Sequence, residues 1–206
     1  EPKQNAANLR TKGWELMLTW NDAFKLANKP FRYNLSVGLA DNTSEITKFD
    51  NPSKILSDYY VGQKLGDIWG YVVDGLFRTD EEAANYNVDQ TAVNFVINTA
   101  QVNPGLHAGD MKFVDLDGDH TISSGSNTAD DPGDRKIIGN SLPRYTYSIQ
   151  GGFDWYGFDF SIYLQGVGHQ DWYPGTNSVF FWGPYARPYS SFIPRDFLSQ
   201  VWSPEN

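Results

Sequence analysis

The chain has 206 residues, of which 40% are hydrophobic, and it carries 7 Trp, 12 Tyr and 13 Phe at a mean hydropathy of −0.51. This combination indicates that apolar and polar positions are interleaved, and the aromatic content is typical of antiparallel β-structure rather than of helical bundles. The net charge of −9, with no basic cluster, argues against a nucleic acid partner, and the absence of cysteine excludes disulfides, thiolate zinc sites and cysteine nucleophiles.

The first predicted pair of elements lies near the start of the chain. Residues 14–20 carry their apolar side chains on even positions, and residues 31–39 carry theirs on odd positions. A period of two residues is that of a β-strand, whose side chains point alternately to opposite faces. Turn-forming residues from Asn21-Asp22 to Asn28-Lys29-Pro30 separate the two segments. The sequence therefore predicts a β-hairpin.

Residues 43–142 have a different character. Between Tyr59 and Tyr71 the composition is β-like but punctuated by glycine. Thr79 precedes three acidic residues, 80–82, which predicts a short helix because threonine caps a helix N-terminus and acids favour the first turn. We expect this region to be an insertion of strand and loop segments between two hairpins.

An aspartate-rich loop, residues 115–126, is the sharpest local signal. Asp115, Asp117 and Asp119 occupy positions 1, 3 and 5 of a calcium-loop spacing, and the carbonyl of Thr121 falls at position 7. Hard oxygen donors at this spacing suit Ca²⁺, which would serve as a structural ion rather than a catalyst. His120 stands where glycine is usual, at position 6, and position 12 is a serine rather than a bidentate glutamate.

Two interpretations of this loop stay open. Asp130, Asp131 or Asp134 could supply the late ligand that position 12 lacks. Alternatively, the loop is an Asx-rich turn whose acids are simply solvated.

A second predicted hairpin covers residues 145–164. Apolar side chains fall on odd positions from Tyr145 to Phe153 and on even positions from Phe158 to Leu164. The junction at Tyr156-Gly157 offers a short turn, with glycine available for positive φ. Strands of about ten residues are long enough to cross a bilayer when tilted. Alternation alone is equally compatible with a soluble sandwich that has one wet face.

An aromatic run from Gln170 to Tyr189 follows the second hairpin. Its candidate ligand-binding residues, which could stack on sugar rings, are Trp172, Tyr173, Trp182, Tyr185 and Arg187. Aromatic residues near strand ends more often form an interfacial girdle or pack a loop against its neighbours. We therefore favour packing over ligand contact for this run.

Signatures of enzymes are missing from the sequence. The three histidines form no His-x-x-x-His pair, and neither a glycine-rich phosphate loop nor a Gly-x-Ser-x-Gly elbow is present. We predict that the protein is not an enzyme.

Ten short motifs follow one another along the chain: Asn8-Leu9-Arg10-Thr11-Lys12-Gly13-Trp14-Glu15, Asp50-Asn51-Pro52, Tyr60-Val61-Gly62-Gln63, Gly66-Asp67-Ile68-Trp69-Gly70-Tyr71, Asp74-Gly75-Leu76-Phe77, Gly109-Asp110-Met111-Lys112-Phe113, the aspartate-rich loop, the run from Asp131 to Tyr145, Gln165-Gly166-Val167-Gly168 and Trp202-Ser203-Pro204-Glu205-Asn206. In these motifs and their order the chain resembles the SusC/RagA family of TonB-dependent outer-membrane transporters. Family members usually have glycine at the position of His120.

The resemblance implies a fold that is mainly β, with antiparallel strands from a transmembrane β-barrel region, long loops and one or two short helices. It implies barrel strands in residues 14–42 and 143–169, extracellular segments between them, and import of glycans or other nutrients across a Bacteroidetes-type outer membrane. The implied partners are an oligosaccharide, a SusD-like lipoprotein and an inner-membrane TonB complex, which would contact a part of the transporter outside this chain. We expect residues 1–206 to be an internal fragment of the barrel.

The alternative hypothesis is a secreted soluble β-module that binds carbohydrate through the aromatic run. The two hypotheses differ in the environment of Phe158, Phe160, Ile162 and Leu164. A transporter would turn this apolar face towards lipid, whereas a soluble module would bury it under a second sheet.

Overall fold

The computed structural model describes residues 6–93, 105–175, 181, 183 and 192–205. Its strands and helices are, in chain order, β1 (Asn8–Leu26), β2 (Lys29–Lys48), β3 (Asp67–Tyr71), β4 (Val73–Leu76), α1 (Asp80–Ala84), β5 (Met111–Phe113), β6 (Arg135–Asn140), β7 (Arg144–Trp155), β8 (Phe158–His169) and α2 (Phe197–Gln200). Strands hold 49% of the residues and helices 6%, which confirms the prediction of a mainly antiparallel β fold with few helices. Within the described ranges, no helix is long and apolar enough to cross a membrane.

The chain divides into two compact units. Unit 1 comprises Glu1–Pro52, Tyr59–Asp67 and Gly139–Trp172, and unit 2 comprises Ser53–Asp58, Ile68–Ile138 and Tyr173–Asn206. The predicted insertion, 43–142, is divided between them. Most of it belongs to unit 2, whereas 43–52, 59–67 and 139–142 belong to unit 1.

Unit 1 is built on a four-stranded antiparallel sheet in the order β1-β2-β7-β8. Leu18 lies opposite Val37, Val37 opposite Ile149, and Ile149 opposite Leu164, so apolar positions meet apolar positions across all three strand pairs. Both predicted hairpins are present. The pairing of β2 with β7 joins them into one sheet, although 95 residues separate the two strands along the chain.

Each hairpin closes through a two-residue turn. Ala27 and Asn28 have φ of 49° and 60°, and Tyr156 and Gly157 have φ of 51° and 87°. Two successive positive φ values give the turn the right-handed twist that neighbouring strands need. The first turn is much shorter than the predicted one at 21–30, because residues 21–26 continue β1 in register with β2. The sequence concealed this extension because Asp22 interrupts the apolar alternation.

An ion pair joins β2 to β7 near the end of the sheet opposite the turns. Arg144 donates from Nε to Asp41 Oδ1 and from Nη2 to Asp41 Oδ2, each at 2.6 Å. This bidentate geometry matches the guanidinium fork to the carboxylate. The contact strengthens the non-local pairing at its margin.

Unit 2 combines short strands with loops around a small buried core. Phe77, Ala83 and Ile122 are buried, and Phe77 packs edge-on against the ring of Tyr86 at 5.2 Å between centroids. Strand β4 pairs with β5. Gln90, which is also fully buried, donates to the carbonyl of Met111 at 2.7 Å and accepts from the backbone N–H of residue 113 at 3.2 Å.

The short helix α1 begins as the sequence predicts. The hydroxyl of Thr79 accepts a hydrogen bond from the backbone N–H of Glu82 at 3.1 Å, and the Glu82 carboxylate accepts one from the N–H of Arg78 at 2.8 Å. The Thr79 hydroxyl thus satisfies one first-turn donor that the helix cannot pair internally, and the Glu82 carboxylate holds the residue that precedes the cap.

Candidate functional site

The predicted metal residues lie in a tightly wrapped loop of unit 2. Asp115 accepts from the backbone N–H groups of Gly118 at 2.6 Å and His120 at 2.9 Å. Asp117 accepts from the N–H of Asp119 at 3.1 Å, and Asp119 accepts from that of Thr121 at 2.7 Å. Each carboxylate therefore accepts hydrogen bonds from backbone N–H groups that follow it in the loop, as in Asx turns.

His120 keeps the conformation that glycine usually supplies in such a loop. Its φ is 66°, in the left-handed region where His, Asn and Asp occur more often than other residues with a β-carbon. The histidine at position 6 is therefore compatible with the wrapped backbone. Its Nδ1 lies 4.0 Å from Asp115 Oδ2.

Asp134 reaches this loop from beyond it in sequence. It is fully buried, and its two carboxylate oxygens accept backbone hydrogen bonds from Leu116 at 2.7 Å and Ser123 at 2.8 Å. Carboxylate oxygens of Asp115, Asp117 and Asp134 lie within 4.8 Å of one another. Among the described residues, this three-carboxylate group is the arrangement that could hold a metal ion, and Asp119 is not part of it.

The electrostatics of the group differ between its members. Burial raises the pKa of Asp115, but backbone hydrogen bonds from Gly118 and His120 outweigh it and leave that pKa lowered. For Asp117, the hydrogen bond from Asp119 lowers the pKa, but desolvation and the neighbouring carboxylates raise it above its ordinary value. Like-charge repulsion of this kind is what a bound cation would relieve.

The backbone of Thr121 connects the aspartate-rich loop to a neighbouring segment of unit 2. It forms an isolated parallel bridge with Asp89, in which the Asp89 N–H donates to the carbonyl of His120 at 2.8 Å and Ile122 donates to the carbonyl of Asp89 at 2.7 Å. Buried Ile122 anchors the end of the loop to the core of unit 2. The sequence-based metal assignment stays a prediction, with Asp134 as the late ligand that the geometry adds to Asp115 and Asp117.

The predicted aromatic ligand site is only partly described. Trp172 is 71% exposed and Tyr173 is 58% exposed. Trp182, Tyr185 and Arg187 lie outside the described residues. Sugar contact by this run stays a prediction.

The sheet of unit 1 has two chemically different faces. The apolar face is interrupted by Asp22, and its other side chains are Trp14, Leu16, Leu18, Trp20, Phe24, Phe31, Tyr33, Leu35, Val37, Leu39, Tyr145, Tyr147, Ile149, Phe153, Trp155, Phe158, Phe160, Ile162 and Leu164. The polar face consists of Glu15, Met17, Thr19, Asn21, Ala23, Arg32, Asn34, Ser36, Gly38, Ala40, Thr146, Ser148, Gln150, Gly152, Asp154, Asp159, Ser161, Tyr163 and Gln165. Hydrogen bonding within the ladder leaves both faces available for contact.

The apolar face is layered along the strands. Near the turns, a ladder of Phe24, Phe31, Phe153 and Phe160 crosses all four strands, with ring centroids 5.0, 5.3 and 5.3 Å apart. An aliphatic layer follows, represented on each strand by Leu18, Val37, Ile149 and Leu164. Trp14, Tyr145 and Tyr147 lie at the far end, so rings flank the aliphatic layer on both sides.

This apolar face is not packed into a core. Leu18 is 63% exposed, Phe158 68% and Leu164 50%. The described residues of unit 1 form one four-stranded sheet, and no second sheet of that unit covers these side chains. A large uncovered apolar surface marks contact with a membrane or with another protein.

Fold and faces together define an amphipathic antiparallel β-sheet protein. The chain is 27% identical over 183 residues to TonB-dependent receptor P39 of Formosa agariphila, which covers 78% of this chain and 17% of that protein. It is 22% identical over 175 residues to TonB-dependent receptor P3 of the same organism, covering 79% of this chain and 15% of the receptor. No family model matches the chain.

These similarities support a TonB-dependent receptor and, in general terms, an outer-membrane protein. The chain spans less than a fifth of the length of the curated relatives that it matches.

Proposed function

We propose that this chain is part of a SusC/RagA-type TonB-dependent transporter that imports glycans or other nutrients across the outer membrane and is not an enzyme. A TonB complex would supply energy, and a SusD-like lipoprotein would be its partner at the cell surface. The single observation that carries the proposal is the uncovered apolar face of the sheet, with its aliphatic layer between two layers of rings.

The dimensions of this face fit a bilayer. Trp14 and Phe24 are ten residues apart on β1, which spans roughly 33 Å along an extended strand. Strands of membrane barrels tilt by about 35–45°, so this length covers the ≈ 25 Å apolar band of such barrels. Aromatic girdles at both interfaces are also typical of these proteins.

The connections favour one orientation of the strands. Both two-residue turns lie at one end of the sheet, whereas the 49–143 connection joins β2 to β7 at the other end. Outer-membrane barrels have short turns on the periplasmic side and longer loops outside the cell. In our proposal, the 49–143 connection therefore begins and ends at the extracellular side.

The soluble carbohydrate-binding module is the less favoured function. It would bury Phe158, Phe160 and Ile162 under a second sheet, yet 68%, 48% and 44% of their surfaces are exposed. Exposed apolar surface of this extent is costly in water and is favourable against hydrocarbon.

The test replaces Phe158, Phe160 and Ile162 by aspartate in the full-length protein, expressed in the outer membrane of its host. On a lipid-facing strand Arg or Lys costs about 2–4 kcal/mol near the bilayer midplane and Asp costs less, so three aspartates are introduced together. We expect loss of nutrient uptake and of heat-modifiable gel migration.

The matched control places aspartate at Ser161 and Gln165, which alternate with these positions on the same strand. This control should keep heat-modifiable migration, because the polar face avoids lipid. If the triple variant assembles like the wild type, the strands lie outside the bilayer and the soluble module becomes the better function.

We also propose a structural Ca²⁺ at the aspartate-rich loop. Asp115, Asp117 and buried Asp134 supply three carboxylates at a separation that one ion can bridge, and Thr121 and Asp119 are the other predicted donors. Calcium takes six to eight oxygen ligands, so carbonyls or water would complete its shell. Bound there, the ion would tie the loop to the Asp134 segment.

A further inference from the structure

An open groove of about 520 Å³ lies on the polar face of the sheet in unit 1. Two neighbouring cross-strand rows line it. One row contains Asn21, Asn34 and Ser161 around Gly152, and the next contains Arg32, Asp154 and Asp159. Gly152 has no side chain, and this absence deepens the groove between Gln150 and Asp154.

The polar side chains of the groove have hydrogen-bonding capacity to spare. Within the described ranges, the side chains of Arg32, Asn21 and Gln150 form no hydrogen bond or ion pair with another protein group, nor do those of Asp154, Asp159 and Ser161. Arg32 is directly opposite Asp154 in the register without an ion pair within 4.0 Å. The groove thus offers amides, a hydroxyl, a guanidinium and carboxylates to a molecule that enters it.

The charges of the groove are also unusual for a sheet. Asp154 and Asp159 lie directly opposite each other on β7 and β8, an arrangement that destabilises a strand pair. Asp22 adds a third carboxylate to the lining residues and Arg32 is the one cation among them, so the groove has a formal charge of −2. An anionic solute would be repelled, whereas an uncharged one would be tolerated.

One aromatic side chain interrupts the polar face beside the groove. Tyr163 is 60% exposed and lies opposite Gln150, next to Ser161 along the same face of β8. The remaining residues of the polar face, as defined above, include no other Phe, Trp or Tyr. An aromatic platform next to amides, a hydroxyl and carboxylates can hold the C–H face of a ring while binding its hydroxyls.

We propose that this groove, with Tyr163 at its margin, is a contact site for an uncharged, hydroxyl-rich solute such as a neutral oligosaccharide. The inference rests on the proposed transport function, in which the polar face borders the transport path. It adds a defined site and a selectivity for neutral over acidic sugars.

The test uses the full-length receptor purified from its host's outer membrane. Saturation-transfer NMR would measure binding of maltohexaose, xylohexaose and laminarihexaose as neutral probes, and of trigalacturonate as the acidic probe. We expect at least one neutral probe to bind and trigalacturonate to bind at least tenfold more weakly. Replacing Tyr163 by alanine should lower the affinity for the neutral probe by about tenfold, because a ring contact is lost. Tyr163→Phe keeps the ring and should restore the affinity.

A second pair of variants tests the selectivity. Replacing both Asp154 and Asp159 by asparagine should strengthen trigalacturonate binding severalfold, which a merely structural role of these residues would not produce. Glu81→Gln, at an exposed acid of α1 in unit 2, is the control and should change neither affinity.

The outcomes separate this inference from the proposed function. If no neutral probe binds, if Tyr163→Ala has no effect, or if trigalacturonate binds as tightly as the neutral sugars, the groove assignment is wrong. Heat-modifiable migration of the same preparation would then still support the transporter. A protein that never reaches the outer membrane would overturn the proposed function instead.

Discussion

The two units differ in the regularity of their strands and in how far they bury their apolar side chains. The sheet of unit 1 is regular, with its strands paired throughout, yet it leaves large side chains such as Leu18 and Phe158 mostly exposed. Unit 2 is irregular, with strands of three to six residues, yet it buries Phe77 and Ile122 completely. Regularity of the backbone and burial of side chains are therefore separate properties of this chain.

The difference follows from what each unit can bury. An alternating strand divides its side chains between two faces, and a single sheet has no second layer to cover either of them. Unit 2 has loops that fold over a few apolar residues, and its buried polar side chains, Gln90 and Asp134, pair with backbone groups. The apolar face of unit 1 therefore needs a covering from outside the unit, whereas the apolar side chains of unit 2 are buried by contacts within it.

Among the substitutions that test this difference between the units, Phe77→Ala is expected to have the largest effect on stability. Phe77→Ala should destabilise unit 2 by about 3–5 kcal/mol, because it removes a fully buried ring and leaves a cavity. Hydrogen exchange resolved by peptide, in the full-length protein in detergent, would show faster exchange in 68–93 and 105–135. Leu18→Ala on the apolar face is the control, with an effect under about 1 kcal/mol, since detergent covers either side chain. Equal effects of the two variants would remove the distinction between the units.

A smaller effect is expected from calcium. At a concentration of 100 times its dissociation constant, Ca²⁺ should stabilise unit 2 by about 2.7 kcal/mol if it binds the folded state alone. Exchange in 115–134 should slow on adding Ca²⁺ and recover with EDTA, while the sheet of unit 1 stays unchanged.

Variants make the calcium prediction specific. Asp117→Asn and Asp134→Asn should abolish the calcium response, because each removes one of the three clustered carboxylates. Asp130→Asn should keep it, since Asp130 is exposed and pairs with Lys54 outside the group. A response that survives Asp134→Asn would exclude the proposed ligand set.

The smallest effect concerns pH. The pKa of Asp115 is lowered in the folded protein, so its contribution to stability is present above the ordinary value of 3.8 and is lost as the pH falls through the folded value. The raised pKa of Asp117 acts in the opposite direction. In calcium-free buffer, exchange in 115–134, corrected for its intrinsic pH dependence, should therefore accelerate modestly below about pH 4. Asp115→Asn should flatten this dependence, and an unchanged acid response in that variant would contradict the assignment.

Much of the local structure could be predicted from the sequence, because local structure depends on neighbouring residues. The period of two in residues 14–20, 31–39 and 145–164 predicted the strands, and Thr79 predicted the start of α1. Prediction was wrong about the first turn, since Asp22 on the apolar face conceals the continuation of β1. In the candidate metal group, two of the three carboxylates were predicted as ligands, and the third, Asp134, was one of three open alternatives.

By itself, the sequence determined that each strand of the two hairpins has one apolar and one polar face and that the second hairpin turns tightly at Tyr156-Gly157, because side-chain alternation and turn conformation are short-range properties. Only the tertiary structure decided that β2 pairs with β7. That pairing aligns the ring ladder from Phe24 to Phe160 and brings Asn21, Asn34 and Ser161 into one groove. It likewise decided that Asp134 joins Asp115 and Asp117. These contacts join distant segments, and the strand register and loop closure that create them depend on packing across the whole unit rather than on any local pattern.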